Sequence, residues 1–298
     1  MKALLDITHE TRYDYAAPVS LAHHMAHLQP LTDAHQQLLT FELNVTPEVE
    51  RQRSALDSQG NTACWFSLTQ PHQHLVVTAQ SRVALQTRFA ALVAEASPAW
   101  DGLASRLRYV ALAPFEPALA YAQPSPFVPR LDELQHYAVA SFFPGRPVAQ
   151  AAISLMQRIH TDFTYETAST HIDTPLAQAF AQRRGVCQDF AHLMAGCLRM
   201  LGLPARYVSG YLLTDAQDPD LVGADASHAW VQVWCPGTPG VPGDGWLDLD
   251  PTNNVVPRSG HVRVAVGRDF GDVTPLRGVI RGGGQHTLTV AVTTRRVG

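Results

Sequence analysis

The chain has 298 residues, with 22 lysines and arginines against 26 aspartates and glutamates, which gives a formal net charge of −4. Hydrophobic residues make up 46% of the chain and charged residues 16%, a balance that predicts a buried core and excludes intrinsic disorder. The slightly acidic charge, without a long basic run, argues against nucleic acid as a partner. At ~150 residues per domain, the length indicates roughly two domains.

Nothing in the sequence indicates a membrane partner. No apolar run approaches the ~18 residues that a membrane-spanning helix needs, and the apolar stretch after Met1 is too short for a signal peptide. The cysteines form no C-x-x-C pair, and a chain of this length does not need disulfides to be stable. We therefore expect a soluble, cytoplasmic protein with reduced thiols. Its four cysteines are Cys64, Cys187, Cys197 and Cys235.

Residues 1–95 are predicted to form an all-β domain, because apolar and polar residues alternate with a period of two. The alternation is clearest over residues 5–15, 41–45 and 75–85. An antiparallel sheet or sandwich with one face in solvent fits this pattern. Residues 96–147 contain eight prolines, which exclude long helices. We interpret them as a proline-rich connector that wraps the surface with short helical turns.

Residues 148–298 are predicted to form a core that combines helices and strands. Apolar residues at helical spacing predict a helix from Val148, and Thr174-Pro175 is typical of the start of a second helix. A third, mostly buried helix has Cys187 in its first turn and ends before Gly202, a typical C-terminal cap. The predicted strands of this core are residues 205–212, 228–234 and 246–250 and a C-terminal strand around residues 287–293.

Cys187 lies in the first turn of its predicted helix, where a thiol can be activated. A thiol attacks a carbonyl group as a thiolate, and a free cysteine, with a pKa of ~8.5, is mostly protonated at neutral pH. The N-terminus of a helix offers about half a positive charge and unpaired N–H groups, which favour the thiolate. A neighbouring imidazolium would add a full positive charge, so the chain needs a histidine brought from elsewhere.

His228 is the leading candidate for that histidine, because it opens an alternating, strand-like segment. Asp250 follows 22 residues later, after a glycine- and proline-rich turn and a second strand. An antiparallel return of that length would bring the Asp250 carboxylate beside His228, where it would fix the tautomer of the imidazole and stabilise its charged form. Asp248 lies on the same face of the strand and is the rival for this role.

Other candidate residues are better explained as structural. Cys197 belongs to the apolar stripe of the helix, and His192 lies ~140° around the helix from Cys187, so neither is expected in the site. Asp189 in the first turn favours the helix dipole. His23 and His27 have a helical metal-binding spacing, but no third ligand accompanies them. We therefore predict no metal site.

Four segments of the chain have the pattern of a known family: residues 184–193 (RGVCQDFAHL), 201–211 (LGLPARYVSGY), 227–230 (SHAW) and 245–253 (GWLDLDPTN). In this order they resemble the nucleophile helix, the strand after that helix, the histidine strand and the aspartate strand of the transglutaminase-like superfamily. In that family the aspartate directly before Pro-Thr completes a Cys-His-Asp triad, which favours Asp250 over Asp248. Residues 9–19 and 261–272 are similar to the opening and the C-terminal segment of the bacterial branch.

The resemblance implies an α+β, papain-like core behind the β-domain, and a triad of Cys187, His228 and Asp250 without a cofactor. Members of the family are commonly labelled cysteine proteases, and relatives cross-link proteins or act as amidases. We therefore expect a thiol-dependent peptidase or amidase that acts on a peptide or protein substrate through a thioester acyl-enzyme. The alternatives are a protein-glutamine transglutaminase and a catalytically silent peptide-binding module.

Overall fold

A 25-residue strand, β1, organises the N-terminal sheet. The computed structural model describes residues 2–108, 110–112, 114–167, 174–213 and 227–297. In chain order the strands are β1 (Lys2–Ala26), β2 (Gln36–Thr46), β3 (Arg51–Leu56), β4 (Thr62–Leu68), β5 (His72–Gln86), β6 (Thr164–Tyr165), β7 (Arg184–Gly185), β8 (Ala205–Leu212), β9 (His228–Trp234), β10 (Trp246–Leu249), β11 (His261–Gly267), β12 (Leu276–Gly282) and β13 (His286–Arg296).

The helices are short outside the core. The longer ones, α3 and α5, have 15 and 14 residues. Among the described residues, no helix combines the length and the apolar character that crossing a membrane requires. The α-helices are α1 (Trp100–Arg106), α2 (Asp132–Val139), α3 (Val148–Asp162), α4 (Leu176–Gln182), α5 (Cys187–Met200) and α6 (Phe270–Val273), and short 3-10 helices cover Ala94–Ala96 and Pro117–Tyr121.

The N-terminal sheet is antiparallel and has the strand order β2-β5-β1-β4-β3. Its strands bury alternate residues, as the period-two pattern predicts; Leu5 and Ile7 of β1, for example, are buried. The first half of β1 pairs with β5 and β13, and the second half pairs with β4 and β12. The predicted all-β region at the N-terminus is therefore confirmed.

The C-terminal strands differ from the sequence-based assignment. The sequence predicts a strand around residues 287–293 as part of the core, but both β12 and β13 pair with β1 in the N-terminal sheet. The register joins Leu5 to Arg296 and Tyr15 to His286. Alternation along a strand predicts which residues are buried, but it does not identify the strand that pairs with it, and this explains the difference.

The proline-rich segment also differs in part from its interpretation as a surface connector. It does form short helical turns, as expected. However, Leu103 of α1 and Leu134 of α2 are fully buried in the hydrophobic core that α3 and α5 share. Helix α2 approaches α5 closely at Gly196, where an added Cβ would lie 2.6 Å from Leu134 Cδ1. The segment therefore contributes to the core, because its prolines limit helix length without preventing burial.

The core places α5 against an antiparallel sheet with the strand order β10-β9-β8-β11. Val231 and Val233 of β9 face the hydrophobic core that contains α5. Helix α3 begins at Val148 and α5 has Cys187 in its first turn, as predicted, whereas α4 has Pro175 rather than Thr174 as its N-cap. The predicted α+β core preceded by a β-domain is confirmed. This arrangement brings the N-terminus of α5 to one end of the sheet.

Candidate active site

Cys187 is the first residue of α5, and its side chain is partly exposed. The backbone N–H of Val186, the N-cap residue, donates a hydrogen bond to Asp189 Oδ2 at 2.9 Å. Gly185 permits this turn, because a Cβ at that position would lie 2.6 Å from Asp189 Oδ2. The capping carboxylate therefore fixes the start of the helix, and the sulfur sits at the positive end of the helix dipole.

The segment that leads into Cys187 is held from the other side by Arg183. This residue has a left-handed backbone with φ of 54°. Its guanidinium carbon lies 4.4–5.1 Å from the ring centroids of Tyr137, Phe163 and Phe180, a cation–π arrangement. Just after it, β7 pairs in parallel with β6, with Gly185 opposite Tyr165. Packing and pairing together set the direction in which the chain enters α5.

His228 and Asp250 meet at the end of the sheet, and both are fully buried. His228 opens β9, and Asp250 follows the last residue of the neighbouring strand β10. The His228 Nε2 to Asp250 Oδ2 distance is 2.9 Å. The other carboxylate oxygen, Oδ1, accepts hydrogen bonds from the backbone N–H groups of Thr252 at 3.0 Å and Asn253 at 3.2 Å. The antiparallel return thus brings the two side chains together, as expected.

The second ring nitrogen of His228, Nδ1, is the one that does not contact the Asp250 carboxylate. His228 Nδ1 is buried and makes no hydrogen bond of standard geometry to any described residue, while the Cys187 thiol is close enough to affect the ring. Burial lowers the pKa of His228, but the Asp250 carboxylate and Cys187 raise it well above its ordinary value. Burial raises the pKa of Asp250, but His228 and His261 lower it far below its ordinary value. The geometry therefore favours an imidazolium beside a carboxylate.

Asp248, the rival to Asp250, has a different environment. It is fully buried, and its Oδ1 accepts a hydrogen bond from Trp230 Nε1 at 3.3 Å. Its Oδ2 lies 3.8 Å from an Arg88 guanidinium nitrogen. The structure thus brings Asp250, and not Asp248, to His228.

Two further side chains contact the Asp250 carboxylate, and sequence reasoning assigned no role to either. His261 Nε2 and Asn253 Nδ2 each lie 2.9 Å from Oδ2, the oxygen that His228 contacts. A signal for His261 was present, because it opens an alternating strand just as His228 does. The sequence could not indicate that β11 and β9 lie on either side of β8, which brings both histidines to the same end of the sheet.

The cluster of His228, Asp250 and His261 also bears on metal binding. Among the described residues, it is the group whose potential ligand atoms lie close enough together to hold a metal ion, all within 4.8 Å. However, each imidazole nitrogen is 2.9 Å from the carboxylate oxygen, an ordinary hydrogen-bond length. We therefore assign hydrogen bonds, and not metal ligation, to this cluster.

The residues that we interpreted as structural lie away from this cluster. His192 is buried and accepts a hydrogen bond from the backbone N–H of Phe270 at 3.1 Å, and burial lowers its pKa to about 3. Cys197 is buried in the core, and burial raises its pKa to about 12. His23 lies on β1, where it contacts Ser67 at 2.7 Å. Its neighbour His27 lies 3.4 Å from an Asp57 oxygen.

Comparison with known proteins agrees with this architecture. Residues 5–84 match the bacterial transglutaminase-like N-terminal region, and residues 140–251 match the transglutaminase-like superfamily core. An uncharacterized protein of Mycobacterium tuberculosis is 36% identical over 286 residues, which are 92% of this chain and 86% of the relative. The chain therefore belongs to the transglutaminase-like superfamily.

Two further relatives carry names that refer to an activity. A protein-glutamine gamma-glutamyltransferase of Pseudomonas aeruginosa is 37% identical over 118 residues, which are 38% of this chain and 17% of that protein. A solved structure of a candidate cysteine protease from Cytophaga hutchinsonii superimposes with a TM-score of 0.74 and 22% identity, covering 100% of this chain and 92% of that chain. The structural match shows that the two chains share their fold.

Proposed function

We propose that this protein is a thiol-dependent hydrolase that cleaves peptide or carboxamide bonds. Cys187 is the nucleophile, His228 is the general base and then the general acid, and Asp250 orients the imidazole. One observation carries the proposal: the buried His228 ring directs Nε2 to Asp250 at 2.9 Å, while Cys187 at the start of α5 interacts with the same ring. The substrate class is a peptide or protein.

The electrostatics of the site support a thiolate at Cys187. A helix N-terminus stabilises a negative charge by roughly 0.3–1 kcal/mol at an exposed position. The imidazolium of His228, which the buried Asp250 carboxylate favours, adds a full positive charge close to the sulfur. Because Asp250 holds Nε2–H, the neutral ring carries its lone pair on Nδ1, the atom that we assign to the thiol.

The chemical steps follow from this charge arrangement. The thiolate attacks the carbonyl carbon, a C–S bond forms, and the carbonyl oxygen takes up the negative charge. His228 then gives its proton to the leaving nitrogen, the C–N bond breaks, and a thioester remains on Cys187. Water attacks the thioester while His228 takes one of its protons. The C–S bond breaks, a carboxylic acid leaves, and the thiolate–imidazolium pair is restored.

The first turn of α5 supplies the groups that would stabilise the oxyanion. A helix leaves its first N–H groups without intrahelical acceptors, and the Cys187 N–H is the first of α5. Such donors act in the transition state, where losing one typically costs about 3 kcal/mol. The hydrogen bond between Val186 and Asp189 holds this turn in position, so the donors need not reorganise during the reaction.

Transglutaminase chemistry is the second candidate, because the local match to the Pseudomonas aeruginosa gamma-glutamyltransferase favours it. The two reactions share every step up to the thioester. They differ in the group that resolves it, since an amine gives a new amide and water gives an acid. Competition between the two nucleophiles for one acyl-enzyme therefore separates the candidates.

The test uses N,N-dimethylcasein with the wild-type protein and with Cys187→Ala. Three products are measured in parallel: new peptide amino termini, released ammonia, and incorporation of a fluorescent primary amine. We expect new termini, or ammonia without amine incorporation, from the wild type and none from the variant. Dominant amine incorporation would replace the hydrolase with the transglutaminase. Equal hydrolysis by Cys187→Ala would contradict both.

Alkylation by iodoacetamide tests the thiol without a substrate. Of the four cysteines, all within the described residues, Cys187 is partly exposed and the other three are buried, so mass spectrometry should find a single modified site in the folded protein. We expect Cys187 to be alkylated faster than a free cysteine at neutral pH. A slow thiol with an ordinary titration, together with no product from dimethylcasein, would indicate the silent peptide-binding module instead.

We also propose that the protein works in the cytoplasm. All four cysteines are free, as expected in a reducing compartment, and a nucleophilic thiolate is protected from oxidation there. Fractionation of cells that express the protein at natural levels tests this assignment. Recovery with a periplasmic or secreted marker would contradict it.

A further inference from the structure

We propose that His261 is a positioning residue of the active site: its Nε2–H holds the Asp250 carboxylate in the orientation that His228 requires. This inference rests on the proposed function, since it assigns a role within the same site. The relevant feature is that the Asp250 carboxylate contacts two histidines that differ in their relation to Cys187. Oδ2 faces two imidazoles, His228 and His261, each at 2.9 Å, and His228 is the one assigned to the nucleophile, since the Cys187 thiol interacts with its ring.

The contacts of Asp250 leave its carboxylate no freedom to rotate. Oδ2 faces three donors at 2.9 Å, from His228, His261 and Asn253, and Oδ1 accepts two backbone N–H groups. Three donors that converge on one oxygen with about two lone pairs hold Oδ2 from three directions. His228 and Asn253 come from the strand and the turn on either side of the carboxylate. His261 comes from β11 and closes the third side.

A glycine in the intervening strand allows His261 to reach the site. Strand β8 separates β9 from β11, and Gly210 of β8 lies opposite His228. An added Cβ at Gly210 would lie 2.1 Å from the Val262 carbonyl oxygen and 2.5 Å from the Trp230 ring. The missing side chain therefore leaves the space in which the Trp230 ring lies across β8 towards β11.

Trp230 contacts both imidazoles and so links their positions. Its ring packs edge-on against His261, with centroids 5.1 Å apart and an interplanar angle of 86°. Its distance from the His228 centroid is 6.1 Å, and these two rings are inclined by 25°. Trp230 is fully buried, and its Nε1–H is bonded to Asp248. The two histidines thus rest on one fixed ring, with the carboxylate between them.

The consequence for Cys187 follows from the tautomer of His228. The imidazole accepts a proton from the thiol at Nδ1 only while Nε2–H points at Asp250. Without the donor from β11, Asp250 can turn or take up water, and the imidazolium loses part of its support. A smaller fraction of Cys187 is then a thiolate at neutral pH, and alkylation becomes slower.

The test compares two amides that differ by one methylene. The side-chain nitrogen of glutamine in His261→Gln extends about as far as Nε2 and can donate to Oδ2. That of asparagine in His261→Asn extends about as far as Nδ1 and falls short. Both variants keep a neutral polar group at a buried position, so a purely structural role predicts similar changes in both. Iodoacetamide alkylation of Cys187 is measured from pH 4 to 9, and melting temperatures are measured alongside.

We expect His261→Asn to shift the midpoint of the alkylation profile upward by about one pH unit, a fall of roughly tenfold in the thiolate fraction below that midpoint. His261→Gln should stay within about twofold of the wild type. Tyr165 and Tyr207 also lie near the thiol, but burial and the Cys187 charge raise their pKa values, so they stay neutral over this range. They therefore do not distort the profile.

The outcomes separate this inference from the proposed function. An ordinary thiol profile in the wild-type protein would overturn the proposed function itself. An activated wild-type thiol with the same profile in His261→Asn would overturn only the role of His261. Equal shifts in both variants, accompanied by equal losses in melting temperature, would likewise show that His261 acts through packing. A shift confined to His261→Asn supports the positioning role.

Discussion

The carboxylate of Asp189 accepts a hydrogen bond from the backbone N–H of Val186, three residues earlier, at 2.9 Å. This contact links the folding of α5 to the position of Cys187, because the nucleophile lies between the two residues. Asp189→Ala should lower the free energy of unfolding by about 1 kcal/mol, the typical cost of losing a helix cap. It should also slow the alkylation of Cys187, since the first turn is free to fray.

The control for this prediction is Asp189→Asn, which keeps an acceptor oxygen and removes the charge. We expect it to recover most of the stability in urea unfolding and most of the alkylation rate. If Asp189→Ala unfolds at the same urea concentration as the wild type, the cap does not hold α5. If the two variants are equally slow in alkylation, the charge of Asp189, and not its hydrogen bond, is what matters.

The different environments of Asp250 and Asp248 lead to a second prediction. Asp250→Asn removes the charge that supports the His228 imidazolium, whereas Asp248→Asn alters a contact with Trp230. Replacing the aspartate of a serine-protease triad by asparagine lowers kcat by about 10⁴-fold. We therefore expect Asp250→Asn to lose hydrolysis by a factor of roughly 100 or more. Asp248→Asn should lower stability and keep most of the activity.

Hydrolysis of dimethylcasein, together with thermal melting, distinguishes the two variants. Both replacements are isosteric and both positions are fully buried, so each is the matched control of the other. The reverse ranking, with Asp248→Asn inactive and Asp250→Asn active, would assign the orienting role to Asp248. Similar losses in both would indicate that the whole sheet end, and not one carboxylate, determines activity.

Much of the core could be predicted from the sequence because its signals are local. The place of Cys187 in the first turn of α5, and the bounds of β8 and β9, follow from helical spacing, alternation and glycine or proline breakers within a few residues. The meeting of His228 with Asp250 depends on one antiparallel return, which is the simplest long-range pairing. These features need no knowledge of the rest of the chain.

The contact of His261 with Asp250 and the pairing of β13 with β1 could not be predicted from local signals. Both depend on which strands become neighbours after the chain has crossed the molecule, and alternation does not carry that information. The burial of Leu103 and Leu134 was missed for a related reason. Proline content predicted short helices correctly but says nothing about which faces of those helices pack into the core.

Gly210 supplies a third prediction, because the structure leaves no room for a side chain there. A Cβ would lie 2.1 Å from a backbone oxygen of β11, which cannot move without breaking the β8–β11 pairing. Gly210→Ala should therefore cost at least about 1–3 kcal/mol, the usual range for overpacking a core. It should also slow Cys187 alkylation, since the Trp230 ring must shift away from the two histidines.

Gly102 of α1 provides the matched control for Gly210. No atom outside its own helix lies within 4 Å of a Cβ built there, and a helical alanine is favoured over glycine by roughly 0.5–1 kcal/mol. Gly102→Ala should thus leave stability unchanged or slightly raised and leave alkylation unchanged. Urea unfolding of both variants checks the pair. A Gly210→Ala protein as stable and as reactive as Gly102→Ala would mean that β8 and β11 separate easily.

The contact between the N-terminal sheet and the core leads to a prediction about acid stability. His9 of β1 is buried, with Nδ1 3.0 Å from the hydroxyl of Tyr211 on β8 and Nε2 3.1 Å from the Thr11 hydroxyl. Burial lowers the pKa of His9 to about 4, below the ordinary value near 6.5. Between these two values the unfolded chain binds a proton that the folded chain does not. Stability is therefore lost as the pH falls through this window.

The variant that isolates this effect is His9→Gln, which keeps a polar group and does not titrate. From pH 7 to 4.5 the wild type should lose about 2 kcal/mol more unfolding free energy than His9→Gln, as linkage requires for a shift of this size. Urea unfolding at both pH values measures the difference, and the other histidines contribute equally to the two proteins. His9→Gln should be the less stable protein at pH 7, because its contact with Tyr211 is weakened. An equal pH dependence in the two proteins would show that His9 takes up its proton in the folded state. The contact between β1 and β8 would then tolerate a charged imidazole.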